Sequence, residues 1–472
     1  MAVPRRRTRG RYEDVPEAVG RILGELHVHL APWIGVRAAW RLSATGPACR
    51  DAMRLQGSSW FESFFRATGT GAASALTIDV STGSADVVKG RRARLDAVAA
   101  ATAVTSRGTF LSFGGEDSAC ERLETESFTE VDPSAMTARD AELRTGAVPK
   151  SQPLDAASYC AATVRNTDEI LFFGGVDAYG SLSNLLRRAK YDGTSWFSRN
   201  YKAPSAPSAP SARIGCSLAF HARSGNVFLF GGFTAGSKPF SLAAVDTSLY
   251  CLTMGEGASQ LNIDSPGDWE VVDGGGTAPT ARAYHSCVVV NDLLVFVGGT
   301  TTPAGAPCGD VHIYDVVAGN WSAVDVDVVP LPSGVDAAPS LRYLHASVGL
   351  DDDCFVIFGG LAKVGGERRE LYDFFVGQID QSADPIALRF FPLHVAIRPP
   401  PPQFGATLHA VRDGDNVALA VFGGSCYGPS PGIKVPAFPP NAPGALTEDR
   451  CLWTASCKIA RTPPPPPPSD SD

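Results

Sequence analysis

The chain has 472 residues, of which 44% are hydrophobic and only 19% charged, with a net charge of −8. Glycine (48) and proline (36) are over-represented for an ordinary domain, so the chain is turn-rich while staying too apolar for disorder. The acidic balance argues against nucleic acid as the main partner, and with no run of about 18 apolar residues no spanning helix and no membrane partner is expected.

Residues 1–14 hold a cluster of arginines and no apolar stretch, which predicts a solvated basic tail rather than a secretory leader. Nuclear targeting is the alternative reading of that tail. The texture changes over residues 15–66. Val15, Val19, Ile22, Leu23 and Leu26 recur at helical spacing, and Pro16 suits a first helical turn. A second apolar-periodic stretch follows over 33–44, and Trp60, Phe61, Phe64 and Phe65 close the segment. A small N-terminal α-helical segment is predicted. Its Val15-Pro16-Glu17 opening, Ile22-Leu23, Leu26, Arg41-Leu42-Ser43-Ala44 and Ser58-Ser59-Trp60 resemble an F-box. Cys49 departs from that pattern where an aromatic is usual, and Gly46-Pro47 interrupts its central helix. The resemblance implies that Pro16, Ile22, Leu23, Leu26 and Leu42 contact a cullin-ligase adaptor subunit. The alternative is a helical cap packed on the rest of the chain.

From residue 75 onward the chain repeats. Six apolar runs end in paired glycines: Gly114-Gly115, Gly174-Gly175, Gly231-Gly232, Gly298-Gly299, Gly359-Gly360 and Gly423-Gly424. The steps between them are 60, 57, 67, 61 and 64 residues. Unit four shows the internal order best: TARAYHSCVVV, a turn at Asn291-Asp292, LLVFVGG, then DVHIYDV, Ala318-Gly319-Asn320-Trp321 and SAVDV. Short β-branched and aromatic runs bounded by Gly, Asn and Asp read as successive antiparallel strands, here named A to D. A Tyr in strand C followed by a Trp opening strand D recurs as Tyr191 and Trp196, Tyr250 and Trp269, and Tyr314 and Trp321. Unit five retains only Tyr372. Such a sheet cannot bury both faces alone, so radial stacking of six units into a β-propeller is expected. The last unit, ending in CLWTASCKIA (451–460), lacks a strand D, and ALTIDV (75–80) is expected to supply it. The Gly-Gly strands, the Tyr/Trp spacing, and Arg282-x-x-His285 and Arg342-x-x-His345 resemble the kelch-repeat family over residues 75–461. The implied fold is all-β, a six-bladed kelch-type β-propeller preceded by the small α-helical segment. A helical box followed by a kelch ring is a common arrangement in the F-box family.

Strand A begins and strand B ends on one rim, and the long D–A and B–C connections share it. Arg213, Arg282 and Arg342 recur there, with Tyr284 and Tyr343 close behind. A ring of arginines and tyrosines suits an acidic or hydrogen-bonding peptide; bracing between adjacent blades is the alternative. His285, His345 and His409 precede Gly-Gly strands at similar distances. They read as repeated structural groups bonded to their own blade's backbone, and no metal and no cofactor is expected. The eleven cysteines are scattered, with no C-x-x-C pair, so reduced core thiols and a cytoplasmic location are expected, with a nuclear one the alternative. No GxxxxGK[ST] or HExxH motif occurs, and a galactose-oxidase-like copper enzyme fits poorly. Residues 462–472, with six consecutive prolines, form a stiff tail. The sequence therefore points to a protein-interaction adaptor, read as the substrate-recognition subunit of a cullin–RING (SCF-type) ubiquitin ligase. A kelch scaffold with no ubiquitin role is the alternative.

Overall fold

The computed structural model describes residues 75–462, apart from 87–99, 116–127, 142–158, 255–266, 329–338, 394–403, 426–451 and shorter breaks. The expected helical segment with Pro16, Ile22, Leu23, Leu26 and Leu42 lies outside the described residues, as do both tails, Tyr372, His394 and the loop after Ser425. Among the described residues every regular element is a strand.

Six antiparallel sheets form, each around one Gly-Gly strand. Unit one comprises Ala101–Val104, Phe110–Phe113, Phe128–Asp132 and Thr137–Ala141 in that order. Unit two comprises Ala161–Arg165, Glu169–Phe173, Leu185–Tyr191 and Trp196–Lys202. Unit three comprises Ser217–His221, Asn226–Phe230, Leu249–Thr253 and Asp268–Val272. In unit four the strands are Ser286–Val290, Leu293–Val297, Val311–Asp315 and Asn320–Val324. In unit five they are Ala346–Asp351, Cys354–Phe358, Phe374–Asp380 and Ala387–Leu393. Unit six takes Phe404–Asp413, Asn416–Ser425 and Leu452–Thr462 as A to C. Its outer strand is Ala75–Asp86, paired antiparallel from Ala75 opposite Thr462 to Asp86 opposite Leu452. The sequence assigned this strand to 75–80; the pairing runs on to residue 86.

Strand B is buried at every residue in units two, four and five, while strand D of unit four mixes buried and exposed positions. The difference has a simple cause: strand B has a neighbouring sheet against each face, and strand D lies at the outer margin. The apolar side chains accordingly collect in layers between consecutive sheets. One layer joins units two and three through Phe173, Leu186, Leu229 and Trp269. Others join units three and four through Phe230, Phe296 and Trp321, and units four and five through Val295, Ile357 and Phe390. Further layers link units one with two and five with six. Strands A of units six and one also touch, and Thr102 Oγ1 lies 2.7 Å from His409 Nε2.

Two details correct the repeat as read from the sequence. Tyr191 pairs with Trp196 and Tyr314 with Trp321, but Trp269 pairs with Leu252, and Tyr250 sits opposite Val271. Tyr250 thus occupies the position of His312 in unit four, one residue into strand C. The second difference lies at the outer edges. Gly275–Gly276 runs parallel to strand D of unit four, and Val326–Val328 runs parallel to strand D of unit five. The connection leaving one unit therefore covers the exposed edge of the next.

Deleting residues 75–86 would leave the C strand of unit six without its outer partner, from Leu452 to Thr462. The expected outcome is a fall of about 5 °C or more in the thermal unfolding midpoint. An unchanged midpoint in differential scanning calorimetry would contradict a stabilising role for this pairing.

Candidate partner-binding rim

Each Gly-Gly pair ends a buried strand, so its peptide groups need partners away from water. Arginine supplies them. Arg213, Arg282 and Arg342 precede strand A and are 0%, 1% and 1% exposed. Their Nη1 atoms donate to the carbonyls of Gly231, Gly298 and Gly359 in their own units, each at 3.1 Å. Their own carbonyls accept the amides of Gly175, Gly232 and Gly299 in the preceding units, at 2.9, 2.8 and 2.9 Å. One residue thereby ties two consecutive sheets together. Unit two has Ala157 at the arginine position, and there Arg187 of strand C donates to the Gly174 carbonyl at 2.9 Å. The glycines are required because no side chain fits. At Gly298 (φ 62°) a Cβ would lie 2.5 Å from the Arg342 carbonyl oxygen, and at Gly299 (φ 98°) 2.8 Å from His285 Cβ.

The guanidinium groups are consumed in this scaffold. Arg282 adds a fork to Asp310, with Nη1–Oδ1 2.9 Å and Nη2–Oδ2 2.6 Å. Arg342 does the same to Asp373, at 2.7 and 2.9 Å. The hydrogen bond from His312, followed by those from Arg282, holds the Asp310 carboxyl well below the usual carboxylate range. The reading of these arginines as an exposed recognition ring is corrected by their burial, and the bracing alternative describes their geometry. Tyr343 is also buried, 4% exposed, and it lies in the register of Ala283 rather than of Tyr284.

Two residues beyond each arginine position runs a second seam. The amide of Gly215 donates to the Tyr159 carbonyl (3.3 Å), Tyr284 to Gly215 (2.7 Å), Leu344 to Tyr284 (2.9 Å) and Gly405 to Leu344 (2.9 Å). All five backbones are left-handed, with φ of 57°, 66°, 56°, 55° and 63° for Tyr159, Gly215, Tyr284, Leu344 and Gly405. For a bulky residue this conformation costs roughly 1–3 kcal/mol and persists only where the surroundings enforce it. Here the inter-sheet hydrogen bond enforces it. Strand A of each unit touches strand A of the next, so these residues lie where consecutive sheets meet at the rim.

The side chains of Tyr159, Tyr284 and Leu344 form a partly aromatic collar. The Tyr159 and Tyr284 rings meet edge to face at 5.8 Å, and Phe233 meets Tyr284 at 5.8 Å. Tyr284 lies over Gly215, where a Cβ would come within 2.5 Å of the ring. Leu344 and Tyr284 pack on Tyr343, Leu361 and Phe404, and Tyr159 packs on Val176, Ile214 and Phe233. Tyr159, Tyr284 and Leu344 remain half-buried. Of the collar the sequence reading named only Tyr284 as a rim residue. Tyr159 and Leu344 carry no motif of their own, and their signal is positional: each follows the arginine position by two. Beside the collar, the B–C connections of units three and five rise as short ribbons, Phe233–Ala235 with Leu242–Ala244 and Leu361–Val364 with Glu367–Glu370.

The histidines differ from expectation. His285 Nε2 lies 2.8 Å from Ser217 Oγ, and His345 Nε2 lies 2.8 Å from Ser286 Oγ, in each case a side chain of the preceding unit rather than backbone of its own. His409 sits further into its strand, opposite Ala420, and is not their counterpart; Ala406 is. Burial holds all three neutral. Desolvation, with the positive charges of Arg282 and Arg342 adding to it, pulls His285 and His345 down to about 3, and desolvation pulls His409 down to about 4. Among the described residues no group of three His, Cys, Asp or Glu side chains is placed to hold a metal ion.

A family model described as the KLHDC2/KLHL20/DRC7 Kelch-repeats domain matches residues 99–334 and 160–424. Host cell factor homolog hcf-1 of Caenorhabditis elegans is 26% identical over 216 residues, covering 44% of this chain and 25% of that protein. Multiple epidermal growth factor-like domains protein 8 of Rattus norvegicus is 28% identical over 237 residues, 48% of this chain and 8% of that protein. Host cell factor 1 of Homo sapiens is 28% identical over 211 residues, 43% and 9% respectively. The chain thus spans a quarter or less of the length of these relatives.

Replacing Arg282 by Leu strips partners from the Gly298 carbonyl and Asp310, and should destabilise the fold by about 2–3 kcal/mol, read as a lower urea midpoint. Asp310 is nearly half exposed, which keeps the figure below that of a fully buried pair. A loss under about 0.5 kcal/mol would contradict the brace. The histidines make a second expectation. Their folded values lie below the ordinary 6.5, so the unfolded chain takes up protons first as pH falls. Their contribution is intact above about pH 6.5 and is lost at up to ~1.4 kcal/mol per pH unit per imidazole between there and their folded values. The His285→Gln/His345→Gln variant should lose less stability than the parent chain between pH 7 and 5. Equal slopes in urea titrations would exclude these imidazoles as the cause.

Proposed function

The chain belongs to the kelch-repeat family, and from that membership we propose that it is a non-catalytic β-propeller that captures a protein partner on the rim carrying the aromatic collar. The observation that carries this reading is the placement of Tyr159, Tyr284 and Leu344, three large side chains held in left-handed backbone where consecutive sheets meet at one rim and left half-buried. Aromatic side chains fixed by a rigid scaffold supply large contact area at little entropic cost on binding. Backbone strain collects where function requires a side chain to be held in place. The flanking ribbons of units three and five add walls to the same surface.

The six-bladed ring belongs to this proposal. Its support is the six Gly-Gly sheets, the apolar layers between consecutive sheets, and the hydrogen bond between Thr102 of unit one and His409 of unit six. The pairing of Ala75–Asp86 with the last unit would lock such a ring by holding its two chain ends in one sheet. Within a cell we place the protein in the cytoplasm, as the substrate-recognition subunit of a cullin–RING ubiquitin ligase. The propeller would hold the substrate while Pro16, Ile22, Leu23, Leu26 and Leu42 engage the ligase adaptor subunit. Support for this role is the F-box resemblance of residues 15–66.

Co-purification from cells, with the intact chain, a chain lacking residues 1–70, and the Tyr159→Ser/Tyr284→Ser variant, tests both levels. The intact chain is expected to recover a cullin-ligase adaptor subunit that the truncated chain loses. The tyrosine variant is expected to keep that subunit and lose its other protein partners by tenfold or more. Recovery of no ligase subunit would leave the scaffold reading; an unchanged partner set with the tyrosine variant would remove the collar as the binding surface.

A further inference from the structure

The three arginine braces are not equivalent. Arg282 and Arg342 each fork onto a carboxylate, Asp310 and Asp373. Those acids directly precede strand C of units four and five, whose first residues, Val311 and Phe374, pair with Val297 and Phe358. In unit three Leu249 pairs with Phe230, so the corresponding position is Ser248. Arg213 is 0% exposed, yet its hydrogen bonds go to neutral groups. Nε donates to the Ser211 carbonyl (2.9 Å), Nη1 to the Gly231 carbonyl (3.1 Å) and Nη2 to Ser211 Oγ (3.1 Å). The guanidinium lies over the Tyr250 ring at 5.1 Å, and among the described residues no carboxylate forms an ion pair with it. A buried cation without a counter-charge is unfavourable.

One of these partners is both exposed and chemically modifiable: the Ser211 hydroxyl, on the proline-rich D–A connection over residues 203–213. We propose that Ser211 is a phosphorylation site, its phosphate supplying Arg213 with the counter-charge that Asp310 and Asp373 supply to Arg282 and Arg342. A protein kinase would transfer the γ-phosphoryl group of a nucleoside triphosphate. The Oγ–P bond forms, the bond from that phosphorus to the β–γ bridging oxygen breaks, the nucleoside diphosphate leaves, and the hydroxyl proton is released. The product carries a charge of about −1.5 to −2 and three acceptor oxygens, attached to an oxygen already within hydrogen-bond distance of Nη2. Charge-assisted bonds of this kind are roughly twice as strong as neutral ones.

The same hydroxyl position in unit four behaves differently. Thr280 Oγ1 also lies 3.1 Å from its arginine's Nη2, but Asp310 already holds that nitrogen, so a phosphate there meets a carboxylate. Modification at Ser211 therefore tightens a brace, and modification at Thr280 loosens one. Because the Arg213 carbonyl accepts the Gly175 amide, tightening acts on the seam between units two and three, beside Gly215 and the collar.

The test uses the full chain with phosphoserine incorporated at 211, phosphothreonine at 280, or neither, each in the parent and the Ser248→Asp background, at low salt. Phosphoserine 211 is expected to raise the unfolding midpoint of the parent by about 2 °C, reversed by phosphatase, and to give no rise once Ser248→Asp supplies a carboxylate. Phosphothreonine 280 is expected to lower the midpoint. No rise with phosphoserine 211, or an equal rise in both backgrounds, would overturn the proposal. Phosphopeptide mapping of the chain from cells that express it should find phosphate on Ser211, and a map that covers this peptide without phosphate would overturn it as well.

Discussion

The fold depends on how a buried strand is allowed to end. A strand covered on both faces must stop somewhere, and its last peptide groups are then far from water and outside any ladder. Here it ends in two glycines, and in units two to five the carbonyl of the first is met by an arginine side chain. In units three to five that arginine stands just before the unit's own strand A, and its backbone carbonyl closes on the second glycine of the unit before. No sheet in this series completes its own polar accounting without its neighbour. Unit two, lacking the arginine, draws a substitute from strand C, and Arg187 reaches the equivalent carbonyl from the strand on the other side of strand B. The requirement is thus for a donor at that point in space rather than for a residue at that point in the chain.

Everything nearer the rim follows from this seam. Adjacent sheets held at fixed spacing bring the residues two beyond the arginine into hydrogen-bond range, and that bond selects left-handed backbone at Tyr159, Tyr284 and Leu344. The collar is therefore a by-product of stacking. It is also rigid, because moving one tyrosine out of place would break an inter-sheet bond. The positions beneath the guanidinium groups complete the arrangement: Tyr250 and Phe375 lie under Arg213 and Arg342, and at the same register His312 binds the acid that pairs with Arg282.

The buried histidines illustrate how a repeating polar residue can imitate a site. His285 and His345 recur because the unit recurs, and each spends Nε2 on a serine hydroxyl of the preceding sheet. Desolvation keeps them neutral, a form suited to hydrogen bonding within an apolar layer. His409, placed three residues further along its strand, joins the last unit to the first by the same chemistry with Thr102.

Much was legible before any coordinates. The six Gly-Gly steps, the four strands per unit and the outer strand supplied from residue 75 are local or periodic features, and hydrophobic period and turn residues encode such features directly. Register was less legible: Tyr250 stands two residues from the position that its spacing to Trp269 suggested, and Trp269 pairs with Leu252 instead. Burial of the arginines was left open between recognition and bracing. A guanidinium before a strand looks the same in sequence whether it meets solvent or a glycine carbonyl from a strand eighteen residues onward. The sequence by itself determined how many units there are and what each contains. Which of its polar groups face inward was decided only when neighbouring units stacked, because each one's hydrogen-bond partners belong in part to the next.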